Sequence, residues 1–304
     1  MRTRRIIAAL VVAGALAAGC GTGPSRVDSA AIVGQTSIPL AEVQPAITSV
    51  LTRPGLVEGL ESQGGSQADI GRAVVSQLVI RDLLGRAVAE QGVTVTEQQV
   101  TDQLERAGGE EAVTAGSLAV GGAQAATRDE LTLSELARRE LPRLSVTADV
   151  AVAQDRAQAS TLAREVAAGG QRAETALAGA GTTQRGLAIR PAETPQAALT
   201  PLIGIPAGWV AAFPLGSGQG WVVVRVTERD LGAPAPGDAV GQLDQRSLSE
   251  AGIRMLTPTA LRTGVQLNPR YGEWDPIQML AVPTAEDASV VFPVAAGNPT
   301  PPAP

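Results

Sequence analysis

Between Gln67 and Gln91 the chain carries two apolar stripes at helical spacing. Ile70, Val74, Leu78, Leu84 and Val88 run along one side, and Val75, Val79 and Leu83 along another. A helix that is apolar on two sides has to be covered on two sides, so this segment is expected to be the central helix of its domain. Gly92 stands at the C′ position, where a left-handed backbone ends a helix. The stripes hold no aromatic ring, and only six aromatic residues occur among 304, so the whole core must be built from Leu, Val, Ile and Ala.

Further helices flank the central one. Pro39 opens a helix whose apolar face is Leu40, Val43, Ile47, Val50 and Leu51; Pro45 should kink it, and Arg53-Pro54-Gly55 should end it. Thr96 with Gln99, and Thr127 with Glu130, have the spacing of capping boxes and so predict two more helix starts. The Gly- and Ala-rich stretch from Gly108 to Ala126 reads as a loop. Ahead of all these, Ala30 to Ile38 reads as an extended segment turning at Gly34.

From Ser145 the pattern changes. A strand from Val146 to Ala153 precedes a helix from Asp155 to Ala168, followed by a turn-rich stretch. Trp209 to Leu215 and Trp221 to Glu228 read as strands around a glycine-rich loop, and the run Val222 to Val224 predicts a strand covered on both faces. A linker at Pro234 to Gly237, a helix from Asp238 to Leu256 and a strand with a turn from Val265 to Asp275 come next. Beyond Pro276 the prolines multiply and periodicity fades, which predicts a mobile tail over residues 277–304.

The first 19 residues read as a secretory signal. Arg2, Arg4 and Arg5 form a basic head, Ile6 to Ala18 an apolar run and Ala17-Ala18-Gly19 a small-residue exit. Thirteen apolar residues are too few for a membrane-spanning helix, which needs about 20. Cys20, the single cysteine, follows directly, and the small residues before it resemble the lipobox of bacterial lipoproteins. That resemblance implies that Cys20 is lipidated and becomes the mature N-terminus, holding the protein at the extracytoplasmic face of the cell membrane through a tether over residues 20–29.

Composition removes most enzyme chemistry. Histidine and lysine are both absent, all 24 basic residues being arginine. A Ser-His-Asp or Cys-His arrangement lacks its base, a phosphate-cradling loop its lysine, and Schiff-base chemistry its amine. Zinc lacks its usual ligands. Carboxylates are plentiful, but no pair has a defined separation. After loss of the signal, 21 arginines face 30 acidic residues, a net charge of −9 that disfavours a nucleic-acid partner. No catalytic residue, metal ligand, cofactor or nucleotide site is therefore assigned.

Three groups of residues carry a resemblance to the extracytoplasmic foldases of the SurA and PrsA group, particularly actinobacterial lipoproteins with a SurA-type N-terminal domain. Ala31-Ile32-Val33-Gly34 with Ile38 is similar to that group's first strand and turn. Leu78-Val79-Ile80, Leu83-Leu84, Ala87, Gly92, Val95-Thr96 and Val100 resemble its central helix and the turn into the next. Leu267 to Gly272 resembles its closing strand. The resemblance implies an α+β fold: a mainly helical peptide-binding module over residues 30–145, completed by a C-terminal helix and strand over 237–276, with a small parvulin-like α/β domain inserted at 146–230.

The same resemblance implies an ATP-independent chaperone for newly exported, unfolded polypeptides. Trp209, Phe213 and Trp221 are the candidate peptide-contacting residues. Parvulin domains place histidines on their first and last strands, where this chain has Asp149 and Val222. Prolyl isomerase activity is accordingly not expected. An active isomerase with a site lacking histidine, and a scaffolding or ligand-binding envelope lipoprotein, are the alternatives.

Overall fold

The computed structural model describes residues 27–295 except 63, 217–218, 235–236 and 238. The signal segment, Cys20 and the last nine residues lie outside the described residues. The fold is α+β, with a helical N-terminal half and a β-rich remainder.

Strand β1 (Ser29–Val33) is buried along its whole length. It turns back at Gly34, whose φ of +61° suits glycine, into β2 (Thr36–Pro39). Six helices follow: α1 (Leu40–Leu51), α2 (Leu56–Ser62), α3 (Gln67–Gln91), α4 (Glu97–Arg106), α5 (Glu110–Gly116) and α6 (Ala123–Glu140). Strand β3 (Ser145–Ala153), α7 (Arg156–Ala167), α8 (Gly170–Gly179), β4 (Thr182–Ile189), β5 (Trp209–Pro214) and β6 (Trp221–Asp230) form the next unit. The chain then returns through α9 (Gln245–Met255), α10 (Thr257–Thr263), β7 (Val265–Leu267), β8 (Glu273–Asp275), β9 (Leu280–Val282) and β10 (Val290–Pro293).

Helix α3 is the axis of the helical half. The Asp69 carboxylate accepts from the backbone N–H (2.8 Å) and hydroxyl (2.7 Å) of Ser66, closing its N-terminus. Gly92, at φ +65°, donates to the Val88 carbonyl at its C-terminus (2.8 Å). Ile70, Val74, Leu78, Leu84, Val75, Val79 and Leu83 are all buried, as the two stripes require. They meet α1, β1, α6, α10 and β9.

The return of the chain completes this half. Strand β7 pairs antiparallel with β1, placing Ala31 opposite Leu267 and Val33 opposite Val265, so the small sheet runs β2-β1-β7. Helix α9 then lies against α6 so closely that a Cβ on Gly252 would stand 2.1 Å from the Leu133 carbonyl oxygen. Only glycine allows that approach.

The larger sheet has the order β10-β5-β6-β3-β4, with every neighbouring pair antiparallel. One face, with Val146, Ala148, Ala211, Phe213, Val222, Val224 and Val226, shares its core with the helical half. The other face, with Ala151, Ala153, Val210, Ala212 and Val223, is covered by α7 and α8. Val222 to Val224 is thus buried from both sides, as its unbroken apolar run predicts.

Several expectations need correction. Helix α6 starts at Ala123 behind Gly122, and Thr127 is buried inside it, because the Ala-rich residues ahead of Thr127 continue the helix. The expected loop at Gly108 to Ala126 contains α5, whose final turn is clamped by a distant side chain: Arg53 donates to the carbonyls of Thr114 (2.9 Å), Ser117 (2.6 Å) and Leu118 (2.6 Å). The expected turn-rich stretch after Gly170 holds α8 and β4. The helix expected from Asp238 starts instead at Gln245, capped by Asp244, whose carboxylate accepts from the Ser247 N–H at 2.8 Å.

The largest correction concerns residues 277–295, which were expected to belong to a mobile tail. Strand β9 pairs with β8, and β10 adds to the edge of the large sheet with Val290 opposite Ala212 and Phe292 opposite Val210. The intervening loop is tied by Asp275, fully buried, which accepts from Ile277 N (2.8 Å), Gln278 N (2.9 Å), Ser289 N (2.8 Å) and the Ser289 hydroxyl (2.7 Å). Replacing Asp275 by Ala strands these donors in the interior, so we expect a loss of about 3 kcal/mol or more in urea unfolding. An unchanged midpoint would show that the loop is not held this way.

Candidate functional site

The two buried stripes of α3 leave a third side free. Asp69, Ala73, Gln77 and Ile80 lie along it at helical spacing and form the floor of a trough. Three hollows of about 460, 480 and 510 Å³ follow one another along this floor, and a fourth of about 760 Å³ adjoins them beyond the floor, between the α1–α2 turn and α5. Neighbours share lining residues: Asp69, Ala73 and Leu118 join the first to the second, Gln77 and Ile80 the second to the third, and Gly55 and Leu56 the fourth to the first. Each falls in the size range of ordinary ligand pockets. Together they make a row of adjoining hollows open to solvent along one flank of the helical half.

The walls come from distant parts of the chain. Leu56, Gly59 and Leu60 of α2 and its lead-in form one end. Strand β9, with Met279 before it, forms one side and is docked on α3 by the Ala281 N–H, which donates to the Ser76 hydroxyl at 2.8 Å. Met279 adopts a φ of +59° while its side chain is buried, a backbone state uncommon outside glycine. Residues of α5 and α6 form the opposite side, and Arg246, Glu250 and Ile253 of α9 close the far end. Arg81 fastens that side to α3, donating to the Asp129 carboxylate (2.7 Å) and the Val120 carbonyl (2.7 Å).

The surface offered is mainly apolar in the middle and charged at both ends, with Arg53, Glu110 and Glu111 at one and Asp129, Glu130, Arg246 and Glu250 at the other. Ala73 and Ile80 are half-buried, and small residues such as Gly59, Ala112 and Gly116 leave room between the larger ones. Gln77 Oε1 is buried and finds no hydrogen-bond donor among the described residues. Burial pushes the carboxyls of Asp129 and Glu130 above their ordinary range, partly offset at Asp129 by Arg81. The Arg72 guanidinium, with help from Ser66, holds Asp69 down to about 2. A row of hollows of this kind can take up apolar side chains of varied shape while meeting a few backbone or charged groups.

The three rings expected to contact peptide do not meet. Trp209 and Phe213 lie on the sheet face that packs on the helical core, Phe213 buried and Trp209 partly so. Trp221 lies on the opposite face beside α7, with the Arg156 guanidinium carbon 5.9 Å from its ring centroid. The pairing explains this, since Phe213 stands opposite Val222, so the adjacent Trp221 points the other way. A single groove lined by all three is not built.

At the two positions matched to parvulin histidines, Val222 is buried core and Asp149 is buried within a charge cluster. Asp149 Oδ2 accepts from Arg225 Nε (2.9 Å) and Nη2 (2.6 Å), and Oδ1 from the Gly186 N–H (3.0 Å), with Arg185 Nε 3.1 Å away. Glu174 on α8 joins both arginines, at 2.9 Å from Arg225 and in direct contact with Arg185. The cluster pins α8 and β4 to the sheet and commits the Asp149 oxygens. A separate cleft of about 930 Å³ lies between α7 and α8, lined by Val152, Thr161, Leu162, Arg172 and Ala176 among others.

Residues 3–108 match the family model of the SurA-like N-terminal domain, so the chain carries a SurA-type N-terminal domain. In the described structure that stretch runs from β1 through α4 and includes the whole floor of the trough. A domain of this type fits the binding of polypeptide clients and a chaperone or foldase theme. No curated protein resembles the chain closely enough to count as a match.

The trough was not legible from sequence, because its floor looks like a weak continuation of the helix's apolar pattern and its walls come from β9, α5 and α9. The Leu78-Val79-Ile80 match held the one clue, since Ile80 falls between the two buried stripes.

The charge cluster predicts a pH response. Burial alone would raise Asp149, but the Gly186 N–H and the arginines outweigh it and lower its pKa; hydrogen bonds from Arg185 and then Arg225 lower that of Glu174. Groups depressed on folding add stability that is complete above about pH 5 and is lost as pH falls through their folded values. Urea midpoints should therefore fall below pH 5, and Asp149→Asn should flatten that fall. An equally steep fall in the variant would contradict the assignment.

Proposed function

We propose that this chain is an ATP-independent chaperone that holds unfolded, newly exported polypeptide in the trough along α3. In this reading it works at the extracytoplasmic face of the cell membrane, tethered through lipidated Cys20. The observation that carries the reading is the run of three adjoining hollows on the floor helix of a SurA-type N-terminal domain. From Asp69 to Ile80 the floor spans roughly 16 Å at 1.5 Å per residue, the length of about five extended residues. Contacts over so few residues, with small side chains on the walls, favour weak and reversible holding, as release without a nucleotide requires.

Prolyl isomerisation is left out of the proposal. Isomerisation needs a pocket that binds and desolvates the X-Pro bond. Here the matched positions hold a buried valine and a carboxylate committed to arginines.

Light scattering from an aggregating, chemically unfolded client tests the central part. The wild-type protein should suppress the signal. Ala73→Trp, which fills the middle of the trough, should lose most of that effect while its melting temperature moves only a few degrees. Suppression undiminished in this variant would place client binding elsewhere. In cells, Cys20→Ala should move the protein from the membrane fraction to the soluble one, and continued membrane association would remove the tether from the proposal. Exchange spectroscopy on an Ala-Pro peptide should give the uncatalysed rate.

A further inference from the structure

The α9 end of the trough differs from the rest in its charge. Its hollow of about 510 Å³ has aliphatic walls in Ile80, Leu133 and Ile253, and carboxylates in Asp129, Glu130 and Glu250. The nearby cations are engaged. Arg81 pairs with Asp129 at 2.7 Å, Arg246 with Glu250 at 3.1 Å, and Arg128 with Glu97 on α4. Glu130 has no ion-pair partner among the described residues, and burial, with no cation to oppose it, is what pushes its carboxyl up. The same hollow holds Gln77, whose buried carbonyl oxygen also finds no donor among the described residues. An apolar hollow with a half-buried carboxylate on its rim that has no ion-pair partner among the described residues is complementary to a cation carried beside an aliphatic group.

Resting on the reading of the trough as a polypeptide site, we infer that this end selects unfolded segments in which an arginine or lysine lies next to aliphatic residues. The aliphatic side chain fills the space between Ile80, Leu133 and Ile253. The cation pairs with Glu130, and Glu250 adds to the field by exchanging its exposed partner Arg246 for the incoming charge. Segments carrying Asp or Glu at the same place meet like charge and are rejected. The net acidity of the chain works in the same direction at longer range.

Fluorescence anisotropy with the full chain tests this, using a labelled Leu- and Val-rich peptide flanked by arginines and its twin with glutamines in their place. The arginine peptide should bind about tenfold more tightly at low salt, a difference of one unit in log Kd, and the gap should close as salt rises. Glu130→Gln should shrink the gap, and Glu250→Gln should shrink it less. The Glu250 variant and the salt series both stand in if the Glu130 variant fails to fold. Twins that bind equally well would overturn the charge selection and leave the trough intact. If neither twin binds, the reading of the trough falls as well.

Discussion

Everything in this fold depends on β1 being held between β2 and β7. Three residues near the start of the described chain pair with three more than 230 positions later, and that contact fixes where the intervening chain must leave and return. Because β7 ends beside β1, α9 is carried back onto α6, and the β8–β9 hairpin onto α3. The β9 wall and the α9 end of the trough exist only because of that return. Its floor belongs to the N-terminal domain, but one wall and one end are delivered by residues after 245.

Arginine has an unusual part in holding the return in place. Arg53 clamps the end of α5, Arg81 the turn before α6, Arg254 the carbonyls of Ile277 and Gln278, and Arg156 that of Ala285. Arg229 donates to the Ile203 carbonyl and lies 3.8 Å from Glu140, tying β6 to α6. A planar guanidinium with five donors can satisfy several carbonyls at once, which an ammonium on a flexible stem does poorly. The complete replacement of lysine by arginine in this chain is consistent with that use, in which side chains close loops that have few aromatic rings to pack on.

The legible and illegible parts of the fold separate by the range of the interactions that make them. Helix α3, its glycine stop and the capping box of α4 rest on contacts within a few residues, and periodicity found them. The strands β3, β5 and β6 were readable from alternation and from the double burial of Val222 to Val224. Helix α5 was not readable, because its carbonyls are satisfied by Arg53 about 60 positions away. Strand β10 was hidden for the same reason, since prolines at 283 and 293 suggested a tail while its stability comes from the edge of β5 and the Asp275 knot. The candidate rings do not share a face, which sequence alone does not reveal: neighbouring Trp221 and Val222 point to opposite sides of one strand, and only the pairing register assigns each a side.

Site-specific photocrosslinking tests the central claim, that unfolded polypeptide lies along the free side of α3, most directly. With a photoreactive residue at position 73, on the trough floor, an unfolded client should be captured in high yield. With the same residue at position 161, in the larger cleft between α7 and α8, capture should be weak. Equal capture at both positions, or capture only at 161, would contradict the account.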